Sequence, residues 1–146
     1  MRKWGGTVTF YKKTPATEIY GVALFGDKVT DAVLVHLKGL KKLETLTLGD
    51  TQVTDAGRVH LKGLKRLKFL RLDGCVGVTD LGLEHLKGLT SLTFLGLLDC
   101  KGVTDAGLVN LKGQTNLRTL VLIGTKVTDA GVKDLQAALP KCRIVK

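Results

Sequence analysis

From Val29 onward two apolar rhythms alternate along the chain. Leu70 and Leu72 are separated by Arg71 and preceded by Phe69, the two-residue period of a strand with one buried face. Ala56, Leu61 and Leu64 instead recur at spacings that share one face of a helix. The two rhythms repeat together. VTDA or a close variant returns at Val29, Val53, Val78, Val103 and Val127, at intervals of 24, 25, 25 and 24 residues. The unit VTDAGRVHLKGLKRLKFLRLDGCVG from Val53 is echoed by VTDLGLEHLKGLTSLTFLGLLDCKG from Val78. One strand and one helix per two dozen residues predict an α/β solenoid, in which each coil buries its leucines only against its neighbours.

The punctuation of the unit supports this division. Asp31, Asp55, Asp80, Asp105 and Asp129 each stand beside a threonine just before a helical period, and are expected as helix N-caps. Gly39, Gly63, Gly88 and Gly113 follow the helices and are expected to take the left-handed conformation that turns the chain toward the next strand.

The leucine spacing resembles the leucine-rich-repeat signature LxxLxLxxN/C. It is matched at Leu43, Leu46, Leu48 and Thr51, at Leu67, Leu70, Leu72 and Cys75, at Leu92, Leu95, Leu97 and Cys100, and at Leu117, Leu120, Leu122 and Thr125. The resemblance extends over about 120 residues, as counted along the repeats. Cys or Thr at the N/C position, together with VTDxGLxxL, is similar to the cysteine-containing subtype found in bacteria and in eukaryotic ubiquitin-ligase substrate receptors. The resemblance implies a right-handed solenoid with a parallel sheet on its concave side and short helices on its convex side. It also implies a non-enzymatic protein-interaction scaffold. The first unit departs from the pattern, with Ile19, Val22 and Leu24 in place of the leucines and Asp27 in place of Cys.

The ends of a solenoid need covers. Residues 1–28 read as an N-terminal cap plus the degenerate first repeat, residues 29–134 as the regular repeats, and residues 135–146 as a C-terminal cap. Thr7 to Tyr11 alternate like a strand, and a turn-rich stretch with Pro15 separates them from Ile19 to Leu24, which predicts a hairpin over the first coil. At the other end Pro140 and an added residue predict a short final strand around Ile144 and a less protected edge.

If the leucines face inward, three outward columns follow: Gly21, Thr45, Phe69, Phe94 and Thr119; Ala23, Thr47, Arg71, Gly96 and Val121; Phe25, Gly49, Asp73, Leu98 and Ile123. A water-exposed sheet face is ordinarily polar. Phe25, Phe69, Phe94, Leu98, Val121 and Ile123, grouped around Arg71 and Asp73 with Thr45 alongside, are therefore the expected partner-binding set. Two other occupants of that face are a flanking segment of the chain and a second copy of it.

Composition adds a second surface. Lysine and arginine outnumber acids by 23 to 13, a formal charge of +10. Lys38, Lys62, Lys87 and Lys112 fall in one helix-side column, reinforced by Lys41, Lys42, Lys65 and Arg66 at the coil junctions. This ridge is the alternative site, for nucleic acid or another polyanion. It lacks interleaved aromatics and any nucleic-acid motif. A third reading is a substrate-recognition piece of a larger protein.

Catalysis has no visible foothold. Ser91 is the sole serine, GxSxG is missing, and no Gly-Lys dipeptide or GxGxxG offers a phosphate cradle. No cofactor is expected. His36, His60 and His85 repeat one helix position, with Asn110 and Asp134 following; a metal column is conceivable there, but a repeated surface position accounts for them. Cys75 and Cys100 are expected to point inward. Three cysteines separated by 25 and 42 residues fit neither a disulfide framework nor zinc knuckles, which favours a reducing, cytoplasmic setting. No apolar run approaches the roughly 18 to 20 residues that cross a bilayer.

Overall fold

The computed structural model describes residues 7–12 and 18–146. Each alternating segment forms a strand: β1 (Thr7–Lys12), β2 (Ile19–Phe25), β3 (Thr45–Gly49), β4 (Phe69–Arg71), β5 (Phe94–Gly96), β6 (Thr119–Val121) and β7 (Arg143–Val145). The strands lie side by side in chain order in one sheet. Strands β2 to β7 run parallel, joined by short helical crossovers. These crossovers are α1 (Asp31–Leu37), a 3-10 turn (Gly57–Leu61), α2 (Asp80–Glu84), α3 (Asp105–Leu108) continued by a 3-10 turn (Val109–Leu111), and α4 (Asp129–Ala138). This is the right-handed leucine-rich-repeat solenoid, with helices on one side of an open parallel sheet.

Among the parallel strands β2 to β7 the register never slips; the antiparallel β1–β2 pair shifts between Tyr11 and Lys12. Gly21, Thr45, Phe69, Phe94, Thr119 and Arg143 lie in one line, and Val22, Leu46, Leu70, Leu95, Leu120 and Ile144 in the next. The extra residue of the longer units is absorbed between strand and helix, where Gly77 pairs with Thr54 and Gly102 with Thr79. The leucines form one continuous ladder, with Leu46, Leu70, Leu95 and Leu120 all without exposed surface. Each such side chain contributes roughly 1.5–3 kcal/mol by leaving water, and only because a neighbouring coil covers it.

Three local expectations are corrected. The helix N-cap is the threonine, not the aspartate: the hydroxyls of Thr79, Thr104 and Thr128 accept from the backbone N–H of Leu81, Ala106 and Gly131. Asp31, Asp80, Asp105 and Asp129 are instead the first helical residues, while Asp55 lies in the turn before Gly57; Asp129 pairs with Lys146, and the other four reach sideways to the following coil. Asp31 accepts from Thr54, Asp80 from Thr104 and Asp105 from Thr128, each through both the backbone N–H and the hydroxyl, at 2.5–2.8 Å. Asp55 binds Thr79 in the same way. The VTD motif is thus an inter-coil ladder. The two Thr128 donors hold Asp105 below its usual acid range.

The left-handed residues are also elsewhere. Among the described residues they are Gly26, Asp50, Gly74, Asp99 and Gly124, all at the exit of a strand, and none of Gly39, Gly63, Gly88 or Gly113 is among them. Asp50 presses on Gly74 and Asp99 on Gly124, so the glycines admit both the φ angle and the neighbouring coil's side chain. Finally, Ala56 is exposed; Gly57, Arg58 and Leu61 are the buried residues of that turn.

Strand β1 pairs antiparallel with β2, as in a hairpin, and extends the sheet at the edge beside the first coil. The expected turn at Pro15 lies outside the described residues. At the other end β7 keeps register with β6, and the buried Cys142 and the half-buried Ile144 join the core. Cys75 and Cys100 are buried, each thiol 3.1 Å from a carbonyl of the preceding coil, Leu48 and Leu72 respectively. Burial pushes the Cys100 thiol up to about 12 and raises Cys75 as well. These are space-filling thiols, closed to thiolate chemistry at neutral pH.

Candidate functional site

Strict register turns the outward positions of the sheet into columns, and two adjacent aromatic positions make the central feature. Phe69 and Phe94 stack with ring centroids 4.2 Å apart and planes 9° from parallel. Both rings are half-buried. The Arg71 guanidinium sits 5.8 Å from the Phe69 centroid and 5.7 Å from that of Phe94, close enough for cation–π attraction. Arg71 Nε is also 3.0 Å from Asp73 Oδ2.

Gly96 makes this convergence feasible. A Cβ on it would lie 2.8 Å from Asp73 Oδ1, 3.2 Å from Phe94 and 3.4 Å from Arg71, so the three side chains close over a bare backbone. Asp73 Oδ1 accepts the Leu98 N–H at 3.1 Å. Burial nonetheless raises the Asp73 carboxyl above its usual range, against the opposing pull of that N–H and of Arg71.

The other expected members surround this centre. Leu98 and Val121 are half-buried, Thr45 is half-buried on β3, and Ile123 is 45% exposed. Phe25 is 42% exposed and lies over Gly49, whose Cβ would be 2.7 Å from the ring, so it stands one strand removed from the Arg71 group. The outward columns are therefore a stacked pair with an ion pair, flanked by separate apolar contacts, and not one uniform apolar sheet. Ala23 is buried although it occupies an outward position.

The lysine ridge is real as a placement but partly engaged. Lys42 pairs with Glu18, Lys112 Nζ is 2.7 Å from Asp134, and Lys65 donates to the Gly88 carbonyl at 3.0 Å. Lys38, Lys41, Lys62, Arg66 and Lys87 are exposed. His60 and His85 are half-buried and His36 is exposed along the helix column; among the described residues no group of three or more His, Cys, Asp or Glu is placed to hold a metal ion.

One residue escaped sequence reasoning. Arg58 is fully buried, at the helix position filled by Leu34, Leu83 and Leu108 in other coils. Its Nη1 is 3.4 Å from Asp55 Oδ1, yet none of its three nitrogens has hydrogen-bond geometry to a partner. Burial lowers its basicity, opposed chiefly by Asp55. The signal was available in the aligned units, where VTDAGRVHL faces VTDLGLEHL.

No protein-family model matches the sequence, and no curated protein matches it. Solved structures do. Internalin C2 of Listeria monocytogenes is similar at 26% identity and a TM-score of 0.70, over 88% of this chain and 51% of that one. A leucine-rich-repeat protein of Leptospira interrogans is similar at 21% identity and a TM-score of 0.60, over 77% of this chain and 27% of that one. Internalin inlF of Listeria monocytogenes follows at 21% identity and a TM-score of 0.53, over 77% and 37%. The chain thus spans about half or less of each neighbour. With the repeat signature and the sheet topology, these likenesses define the protein as a leucine-rich-repeat solenoid. No helix among the described residues is long and apolar enough to cross a membrane.

Proposed function

We propose that the protein is a non-enzymatic binding scaffold that receives a protein partner on the concave sheet, with Phe69 and Phe94 as anchor and Arg71 and Asp73 as the polar contacts beside it. The observation that carries this reading is the stacked, half-buried ring pair under a guanidinium at outward positions of the sheet. Aromatic and arginine side chains dominate interface energetics, and a rigid coil backbone holds these without further ordering on binding. Leucine-rich-repeat folds are commonly interaction scaffolds, which supports the class of function. The partner in this reading is a protein segment with an apolar side chain for the ring pair and a donor for Asp73.

The test is Phe69→Ala with Phe94→Ala. The rings are outward, so the variant keeps the circular dichroism and melting behaviour of the parent. Partner capture or self-association measured by sedimentation weakens by about 2 kcal/mol or more, the scale of a hot-spot pair. Unchanged capture together with unchanged sedimentation removes the concave face from the reading. Domains before Met1 or after Lys146 in the full gene product would place the scaffold as the recognition part of a larger protein.

A further inference from the structure

The outward positions on the two sides of the Phe69–Phe94 pair are built differently. Toward the N-terminal edge they are small or already covered: Thr45 and Thr47 are half-buried, the Tyr11 ring lies against Gly21 and the Phe25 ring against Gly49. Toward the C-terminal edge, strands β5, β6 and β7 set Phe94, Thr119 and Arg143 in one line and Gly96, Val121 and Val145 in the next outward one. Val121 and Val145 are half-buried, as is Leu98, whereas Ile123 and Arg143 are exposed. An apolar floor thus runs from the ring pair to the last strand and ends at a cation.

Charge divides along the same line. On the N-terminal side of the pair Lys68 Nζ is 3.3 Å from Glu44, and above the rings Arg71 is matched by Asp73. On the C-terminal side Arg143 has no carboxylate partner among the described residues. Its backbone N–H donates to the Arg118 carbonyl at 2.8 Å, and the Arg118 guanidinium donates only to the carbonyls of Thr115 and Leu117. The closing strands therefore carry unmatched positive charge on a chain of net charge +10. An apolar partner laid over this floor would strip water from Arg143 without supplying a counter-ion, which is costly; a partner that brings a carboxylate offsets the loss.

Resting on the concave-face reading above, we propose that the partner is an acidic protein segment in extended conformation, laid across the strands from β4 to β7. An aromatic or large aliphatic side chain of that segment sits on the Phe69–Phe94 pair, and an Asp or Glu of it meets Arg143. The sheet sets the spacing between the two. From the ring pair to β7 is two to three strand spacings, about 12 Å, while four extended residues cover about 13 Å and return a side chain to the same face. A second copy of the chain is a poor occupant. Two molecules of charge +10 repel each other, and four acids of each, Asp31, Asp55, Asp80 and Asp105, are already bonded to threonines.

The experiment selects short random peptides displayed on phage against the intact chain, then measures synthetic copies of the enriched sequences by fluorescence anisotropy. The expected enrichment is an Asp or Glu about four residues from an aromatic or large aliphatic residue. Arg143→Glu, at an exposed position, weakens binding of such a peptide by about fivefold or more. Lys87→Glu, exposed at a helix end, lowers the net charge by as much and leaves affinity within about twofold of the parent. Exchanging the acid of the peptide for Lys restores binding to the Arg143→Glu variant and not to the parent. Peptides that need Phe69 and Phe94 but carry no such acid, or that ignore Arg143→Glu, would overturn the acidic partner while leaving the concave site in place. Peptides indifferent both to Arg143→Glu and to Phe69→Ala with Phe94→Ala, or a selection that enriches nothing, would remove the concave reading and this inference with it.

Discussion

Replacing Arg58 by leucine is expected to stabilise the protein. The guanidinium sits with no exposed surface at a position where three other coils place leucine, so the cavity shape already suits an aliphatic side chain. Its nearest acid, Asp55, is 3.4 Å away, but that carboxylate spends its oxygens on the backbone N–H and hydroxyl of Thr79. At an effective dielectric of about 20 the attraction at that distance is at most about 5 kcal/mol, comparable to the several kcal/mol lost on dehydrating the ion. Nothing then offsets the three nitrogens left without hydrogen bonds. Buried charges exchanged for aliphatic residues typically give about 1–4 kcal/mol, and the missing hydrogen bonds put Arg58→Leu in the upper half, about 2–4 kcal/mol. For a chain of this size that raises Tm by about 5–10 °C. Urea unfolding should show a higher midpoint at an unchanged m-value. Arg58→Lys supplies the sign of the cause. Burial would depress the folded pKa of that lysine below its unfolded value, so the unfolded state binds more protons. Measured against the parent at each pH, the variant's stability should therefore rise up to about 10.4; both share the loss above about 8.5 that follows when the Cys75 and Cys100 thiols, raised in the folded state, ionise in the unfolded chain. A midpoint for Arg58→Leu equal to or below the parent's would refute the argument that a dehydrated, unbonded charge is held there.

Two further outcomes test the corrected coil geometry. Gly74→Ala, at φ 69° and under Asp50, should cost more than about 1 kcal/mol, whereas Gly113→Ala, with open space around it, should be neutral or slightly stabilising; paired urea titrations compare them, and equal losses would restore the post-helix glycine as the conformational pivot. Because Asp105 is held below its ordinary acid range by Thr128, its stabilising effect is complete above that range and is lost as pH falls through the depressed folded value; Asp105→Asn should flatten that part of the acid limb in a melting series, and an unaltered limb would remove the inter-coil ladder as its source.

Much of this was legible in the residues because a solenoid repeats one solution. Leu46, Leu70, Leu95 and Leu120 announce both the strand and its buried face, and regular intervals leave the register no freedom to slip. Outward columns followed without structural help, including the neighbouring rings of Phe69 and Phe94. What the pattern concealed were contacts between coils. An Asp-Thr pair before a helix reads locally as a cap, and the cap is indeed there in Thr79, but the carboxylate of Asp80 has its partner 24 residues on, in Thr104. Local propensity carries no information about a neighbour at that separation. The glycines misled for the same reason: a Gly after a helix is a common left-handed exit, yet here the sharp reversal falls at the strand end, where Asp50 and Asp99 also adopt positive φ.

Departures from the repeat concentrate in its middle coils. Arg58 replaces a core leucine, and the rings of Phe69 and Phe94 stand on the outer strand face in the column that Thr45 and Thr119 continue on either side. Arg71 occupies the column of Thr47 and Val121, and Gly96 between them is the gap over which its side chain folds. Consistency across coils specifies the backbone, so a residue that breaks it either lowers stability or serves something other than folding. The two kinds separate by environment. Arg58 is enclosed, its removal should only strengthen the fold, and no external ligand reaches it without opening the coil. Phe69, Arg71, Asp73 and Phe94 face outward and touch one another, so truncating them costs the core little while deleting a surface where aromatic, cationic and partly buried anionic groups meet. Mutations that stabilise the protein and mutations that impair binding should accordingly fall on opposite faces of the same coils, within a few residues of each other in the chain.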